Sequence, residues 1–463
     1  MKNHKLSLHI FRRDLRLDDN TALITALTES EHVIPCFILN KQQLHNNEYR
    51  SDNLLEFMTN SLKELDEELR AKRSRLYIFY GDTYQIIEKL LKNHSIQAIY
   101  FNADYTPYSK TRDENIKKIC QENRVECKIL HDALINSPGS ILKDDGKPYT
   151  IFTPFQRKAR TIPVSEPVAN HFHNYFTQRI DEEEGRAVLE KIAPRKNSSL
   201  LVQGGSKEAK YLLKKSKSLK NYSAERNIPG INGTTLLSAH NKFGTISIRE
   251  VYWNIEEHLG AQSLLISELY WRDFFSHILF HYPHVLGHSF HKKYDGITWT
   301  NDEIKFKAWC EGRTGFPIVD AGMRQLNTTG WMHNRVRMVV ASFLVKDLHV
   351  DWRWGEKYFA QKLVDYDPAV NNGNWQWAAS TGCDAQPYFR IFNPWKQQEK
   401  FDPDVEYIKT WVPELKNLAP KDIHNLDNNF HEDIHYPRPI VDHKKVSSEA
   451  KEFYALVAKQ TAH

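Results

Sequence analysis

The chain has little of what usually announces a function. Its five cysteines (Cys36, Cys120, Cys127, Cys310 and Cys383) are odd in number and fall in no C-x-x-C spacing. That argues for a reducing compartment and against a structural zinc site, so no metal is expected. No G-x-G-x-x-G follows the first apolar run, which leaves a dinucleotide there without support. There is no G-x-S-x-G and no H-E-x-x-H, and His333 lacks a partner at ligand spacing. Serine-nucleophile and zinc hydrolysis therefore have no basis. No apolar run approaches bilayer length. The opening MKNHKLSLHIF has no secretory core and leads straight into a strand, so a cytoplasmic protein is expected, with no membrane partner. No heptad seam is present, which points to a monomer. The formal charge of +5 is small; it permits a polyanionic partner without demanding one.

What is abundant is aromatic: 12% of residues, with eleven tryptophans, concentrated in the C-terminal half. A length of 463 residues exceeds one ordinary core and implies two domains with a connector. In the first part, apolar runs at Leu6–Phe11, Val33–Leu39, Leu76–Tyr80, Ala98–Phe101 and Cys127–Leu130 read as strands. Helical stripes separate them, for example Leu54, Leu55, Met58, Leu62, Leu65 and Leu69. Strand–helix alternation with short links predicts a doubly wound parallel sheet over residues 1–131. Arg12, Arg13, Asp14 and Arg16 follow the first strand, either as a polar rim for a ligand or as a solvated turn with local ion pairs. Residues 132–219 read as a connector, because recurrent proline prevents long helices. Its apolar island Tyr149–Phe155 is expected to pack on a domain, and the lysines of 207–220 to form a solvated helix face.

Residues 220–463 read as a second, helical domain. Thr234, Thr235 and Ser238 lie beside Gly233, just before a helix. Capping explains one such hydroxyl; three lean toward an anion site. In LLISELYWRDFFSHILFHY, Glu268, Trp271, Arg272 and Phe275 share one helix side. A carboxylate there needs a partner if buried, either Arg272 or a ligand. The densest stretch is Gly330 to Asp384. It holds Trp331, Trp352, Trp354, Trp375 and Trp377 among paired amides (Asn371, Asn372), carboxylates (Asp365, Asp367) and arginines (Arg335, Arg337). Asn-Asn-Gly is expected to break a helix there and place tryptophans beside a polar, irregular backbone, as a pocket for a flat, hydrogen-bonding ring requires.

Three segments of this chain, MHNRVRM, DYDPAVNNGNWQWAAS and PYFRIFNP, resemble DNA photolyases, in particular those that split cyclobutane pyrimidine dimers. The resemblance extends over nearly the whole chain. It implies an N-terminal Rossmann-like α/β domain for a light-harvesting chromophore, joined to an all-helical domain that binds FAD, reduced in the active form, and DNA containing pyrimidine dimers. By resemblance, FAD contacts fall on Tyr222, Thr234, Thr235, Leu236, Leu237, Ser238, Arg272, Arg337, Asp365, Tyr366, Asp367 and Asn371. Leu236 replaces a basic residue often found in that run. Asn371 would face the reactive flavin nitrogen, Asp367 would accept from the ring imide, and Asp365 would pair with Arg337; helix capping before Pro368 is the alternative for one of the two carboxylates. Glu268 and Trp271 would contact a flipped-out dimer, with Phe275, Asn334, Met338 and Trp377 around it. Arg226, Arg335, Arg390 and Gln397 would hold flanking phosphates. Trp375, Trp352 and Trp299 would relay electrons. The catalytic set is then Glu268, Asn371, Trp299, Trp352 and Trp375. Many folate-using members carry Asn-Glu where this chain has Tyr108-Ser109. That departure weighs against methenyltetrahydrofolate and leaves a deazaflavin, another flavin or an empty site open.

Three other readings compete. A cryptochrome-type blue-light receptor would share the flavin fold; the short remainder after NPWKQQEKFDPDVEYI leans against it. An enzyme for (6-4) photoproducts would carry histidines where this chain has Asn334 and Met338. A light-independent base-flipping glycosylase would need a catalytic carboxylate or lysine at the pocket and no flavin.

Overall fold

A computed structural model describes residues 2–45, 47–194, 196–430 and 433–460, with side chains to 457. Five strands form one parallel sheet: β1 (His4–Phe11), β2 (Ser30–Asn40), β3 (Tyr77–Gly81), β4 (Ala98–Asn102) and β5 (Glu126–Leu130), in the order β3-β2-β1-β4-β5. The order reverses between β1 and β4, which makes that edge the topological switch point. The strands are apolar on both faces because helices cover both; Leu8, Ile34, Tyr77 and Ile99 are fully buried. The connecting helices carry the caps that their sequences offer. Asn20 caps Thr21–Glu29, Ser51 caps Asp52–Ala71, Asp82 caps Thr83–Asn93 and Thr106 caps Pro107–Glu122, each by accepting a first-turn N–H.

The chain divides into two compact units. The first comprises Met1–Lys196, Val202–Ser218 and Thr235–Pro283; the second comprises Asn197–Leu201, Leu219–Thr234 and His284–His463. Prolines in 132–219 limit its helices to Phe152–Ala159, Gly185–Ile192 and Ser206–Ser216. The apolar island packs as expected: Phe152 stacks on Trp271 with centroids 3.6 Å apart, and Phe155 tilts against Phe274 and His277. The second unit is helical among the described residues. Its core gathers Met323, Leu326, Val340, Phe343, Leu344, Trp309, Trp352, Phe359 and Trp375 from the helices Glu303–Glu311, Pro317–Thr329, Asn334–Lys346, Trp352–Lys362 and Pro368–Ala378.

One expectation fails. The helix Pro368–Ala378 runs unbroken through Asn371-Asn372-Gly373. Asp367 caps it, accepting from Ala369 N at 3.0 Å and Val370 N at 3.3 Å, and Pro368 occupies the first turn. The amides do not compete for their own backbone because they are bound elsewhere: Asn371 donates to the Glu356 carbonyl and Asn372 to the Val285 carbonyl. Glycine inside a helix costs only about 1 kcal/mol, which burial of Trp375 and Ala378 outweighs.

The charged turn after β1 is neither a rim nor a solvated loop. Arg16 and Asp14 are buried. Arg16 forks onto Asp132 at 2.8 and 2.7 Å, and Arg249 reaches the same carboxylate at 2.9 Å and Asp19 at 2.8 Å. Burial alone would raise the Asp132 carboxyl; the two guanidiniums outweigh it and hold it at about 2. That lies below the usual unfolded value, so this group stabilises the fold above about pH 4, and the contribution is lost as pH falls toward 2. Asp132→Asn should take from buried Arg16 its carboxylate partner, leave Arg249 only Asp19, and lower stability at pH 7 by roughly 3–5 kcal/mol. It should also flatten the fall in stability between pH 4 and 2. Urea midpoints across that range check both; an unchanged midpoint at pH 7 would refute the role.

Candidate flavin and DNA site

In the first unit the candidate residues fall on a turn and on one face of a helix. Leu236 adopts φ +55° and Leu237 follows at φ −86°, ψ 0°. Left-handed then right-handed residues turn successive N–H groups to one side, a concavity that suits an anion. A leucine at positive φ is strained, and here it sits between the half-buried hydroxyls of Thr234 and Thr235 and exposed Ser238. Thr235 Oγ1 accepts from Leu237 N at 3.3 Å. On the helix Leu264–His281, Glu268, Trp271 and Arg272 are half-buried and Phe275 is buried. Arg272 donates to the carbonyls of Ala133 and Asn241 at 2.5 and 2.8 Å. Trp271 stacks on Phe152 at 3.6 Å, and its ring centroid lies 5.5 Å from that of Phe275.

In the second unit the candidate residues are taken separately. Arg337 forks onto Asp365 at 3.2 and 2.9 Å and also donates to the Met332 carbonyl. Tyr366 is half-buried and Asp367 buried. Asn334 opens the helix Asn334–Lys346 on the exposed side, with its amide 3.9 Å from Met338 Sδ. Arg335 donates to Asn227 Oδ1 at 2.8 and 3.2 Å and lies 4.4 Å over the Phe401 ring. Burial first, then the positive charge of Arg226, lowers its pKa. Arg226 in turn lies 5.4 Å over the Tyr222 ring. Arg390 is exposed, Trp377 half-buried, and Gln397 half-buried with Oε1 unpartnered. Trp352 and Trp375 share the core, while Trp299 is partly buried against it, edge-on to Phe453 and Tyr454 of the helix His443–Gln460.

Sequence reasoning missed the network under Asn371. Glu356 is buried; its Oε1 accepts from Asn372 at 3.2 Å. Gln376 donates to Asn372 Oδ1 and to the Val285 and His288 carbonyls, each at 3.0 Å, and its Oε1 accepts from Phe290 N. The signals were present: Asn372 and Gln376 stand four apart on one helix, and Glu356 is a lone carboxylate in the aromatic run WRWGEKYF. Lys346 was missed too. It is buried, donates to Ser380 Oγ at 2.8 Å, and burial lowers it to about 7.

Comparison with known proteins places this geometry. A family model described as DNA photolyase matches residues 7–170, and one described as the FAD binding domain of DNA photolyase matches residues 265–455. Deoxyribodipyrimidine photo-lyases from Synechococcus and Vibrio cholerae are 36% and 37% identical, over 96% and 94% of this chain and 95% and 96% of theirs. The chain belongs to the DNA photolyase family. Among solved family structures, a photolyase from the archaeon Sulfolobus tokodaii, described with two FAD molecules and a novel light-harvesting cofactor, is 46% identical with a TM-score of 0.89, covering 97% of this chain and 100% of that one. A class III photolyase from Agrobacterium tumefaciens is 35% identical with a TM-score of 0.92, covering 99% and 98%. A Synechocystis cryptochrome is 28% identical with a TM-score of 0.89, covering 98% and 100%. The expected architecture, a Rossmann-like domain plus a helical FAD-binding domain, is the family's.

Burial raises the Glu356 carboxyl to about 7, with the Asn372 amide and Arg353 pulling it partly back. An acid whose folded pKa lies above its unfolded value gives stability below about pH 4.5 that is lost as pH rises through 7. Glu356→Gln, which keeps an acceptor for Asn372, should match the parent near pH 4.5 and exceed its stability above pH 7 by on the order of 3 kcal/mol. Equal pH profiles for the two proteins would remove Glu356 from the account.

Proposed function

We propose that this protein repairs cyclobutane pyrimidine dimers in DNA with light, and the full-length relation to deoxyribodipyrimidine photo-lyases carries that reading. FAD in its reduced form supplies the photoexcited electron that splits the dimer, and takes it back. The residues present fit it. The Leu236–Leu237 concavity with Thr234, Thr235 and Ser238 matches a pyrophosphate, with Tyr222 and Arg272 beside that run in the family motif. Arg337, Asp365, Tyr366 and Asp367 offer a fixed set of donors and acceptors for a polar ring edge. Asn371 is the key to the chemistry: its neutral amide would hydrogen-bond the flavin ring without presenting an acid proton.

The protein's remaining work is to admit and hold two fused bases. Extruding a damaged pair costs a few kcal/mol, least where stacking is already poor. Stacking on an aromatic wall returns roughly 1–3 kcal/mol per base. By the family motif Trp271 and Trp377 each take that role, Phe275, Asn334 and Met338 touch the bases, and Glu268 reads the base edge. Arg226, Arg335, Arg390 and Gln397 hold flanking phosphates. Trp299, Trp352 and Trp375 supply electrons when the flavin has become oxidised. Residues 1–131 house the second chromophore, which the two-FAD Sulfolobus relative favours as a flavin; residues 132–219 connect, and 220–463 bind FAD and DNA. The protein works as a monomer in the cytoplasm.

Illuminating the purified, reduced protein with an oligonucleotide containing a thymine dimer should restore thymines, read by chromatography. No restoration by protein that holds FAD would end the repair reading and favour the light-sensor alternative. Arg335→Ala should weaken binding to damaged and undamaged DNA alike and reduce the salt slope by about 1. Loss confined to damaged DNA would mean that Arg335 reads the lesion rather than phosphate.

A further inference from the structure

Between the helices Pro368–Ala378 and Pro394–Phe401, residues 379–393 lie in no helix or strand. This segment carries Arg390, which is exposed, and Phe389, which is 57% exposed. Pro387, Tyr388, Phe389 and Arg390 form one turn, closed by the Arg390 N–H on the Pro387 carbonyl at 2.9 Å. Tyr388 faces the interior instead. Its ring stacks on Tyr454 with centroids 5.9 Å and planes 5° apart. Tyr454 is fully buried and donates its hydroxyl to the Ala379 carbonyl at 2.7 Å.

One side chain ties the start of this segment to its turn. Lys346 ends the helix Asn334–Lys346, whose first turns carry Asn334, Arg335 and Met338. Its Nζ donates to Ser380 Oγ at 2.8 Å and to the Tyr388 carbonyl at 3.4 Å, and lies 3.9 Å from the centroid of the Tyr454 ring. Ser380 has φ +61°, a left-handed conformation that a serine keeps only where its surroundings fix it. Lys346 itself is 1% exposed. Its partners are a hydroxyl, a peptide oxygen and an aromatic face, none of them an anion. The next residue, Asp347, is bound to His443. Burying an ammonium among neutral groups is costly, and an apolar residue of the same length would pack there more favourably. Packing therefore does not account for a lysine at this place; a tie between Ser380 and Tyr388 does.

We propose that Lys346 is a positioning residue for DNA binding, fixing the turn 387–390 from the interior so that Arg390 stands where a phosphate passes. The proposal rests on the reading above that Arg390 holds a phosphate flanking the lesion. Lys346 is too deeply buried to touch DNA and acts only through the segment. Without the tie, Ser380 and Tyr388 relax, and the turn must be ordered at the moment of binding. That ordering weakens affinity. The chemistry on DNA already bound is untouched.

The test uses full-length, FAD-loaded protein and an oligonucleotide containing a thymine dimer, with Kd read by fluorescence anisotropy at several salt concentrations. Lys346→Met keeps the length and the apolar stem. It should weaken binding about tenfold, the worth of one charge-assisted contact. It should also make the salt slope shallower by about 1, as Arg390→Ala does. A lysine that only supports the fold would not move that slope. On the Arg390→Ala background, Lys346→Met should change neither quantity. The repair rate at saturating DNA should stay that of the parent. Ser380→Ala, which removes one bond and little volume, should shift affinity and slope the same way by less. A parent-like slope in Lys346→Met, or in Ser380→Ala where Lys346→Met fails to retain FAD, overturns the proposal. So does a loss that adds to that of Arg390→Ala. Parent-like binding by Arg390→Ala overturns it together with the phosphate role of Arg390, and leaves the repair reading to the illumination experiment.

Discussion

Buried amides and carboxylates without a counter-charge are the constraint on which the C-terminal unit turns. Asn371, Asn372 and Gln376 occupy consecutive turns of one helix, and each must find partners in an interior where an unmet amide costs about 1–3 kcal/mol. They find them in Glu356 and in the carbonyls of Val285, Glu356 and His288. None of those partners is a cation. The result is a polar seam that is neutral when Glu356 is protonated, and it fixes the rotation of the helix. That rotation sends Trp375 into the core, where Gly355 admits it; any Cβ on Gly355 would lie 2.1 Å from the indole. Amide network, glycine and tryptophan together pack the helix that carries Asn371.

The sheet domain meets the opposite situation with the opposite means. Arg16, Arg249, Asp19 and Asp132 are full charges, and they close the first turn by pairing. A pair of this kind gains little over apolar packing yet is costly to break from one side. It therefore specifies the turn after β1 more than it stabilises the whole. It also explains why the switch-point edge, open to a ligand in many such sheets, is filled here by protein side chains.

The sheet was legible because its signals are local. Apolar runs, caps and connection lengths lie within a dozen residues of each other, and the stripe from Leu54 to Leu69 falls inside the helix Asp52–Ala71. Phe152–Ala159 was legible only as an apolar island, since periodicity names a burial partner's polarity and not its identity. The helix through NNGNWQW was misread because intrinsic preference describes amides that must satisfy themselves. These are satisfied from Val285 and Glu356, 87 and 16 residues away for Asn372, and no window over the helix contains that fact. For the same reason Glu356 went unnoticed: it matters through what it touches.

Fold alone does not choose between repair and sensing. A cryptochrome shares the architecture at a TM-score of 0.89, so the choice rests on side chains grafted on a common frame. A sensor needs light to leave a lasting change, which a proton delivered to the flavin provides. A repair enzyme needs the electron back within each cycle and gains from a partner that cannot protonate the ring. If residue 371 faces the flavin as proposed above, an aspartate there would serve the first and the asparagine present would serve the second. Glu356, with its raised pKa, is a carboxyl of this network, and Asn372 binds its oxygen. Its side chain thus engages Asn372, while only its backbone carbonyl serves Asn371. The acid is held one residue away from the amide proposed to face the flavin, a separation that would suit a flavin used for electron return.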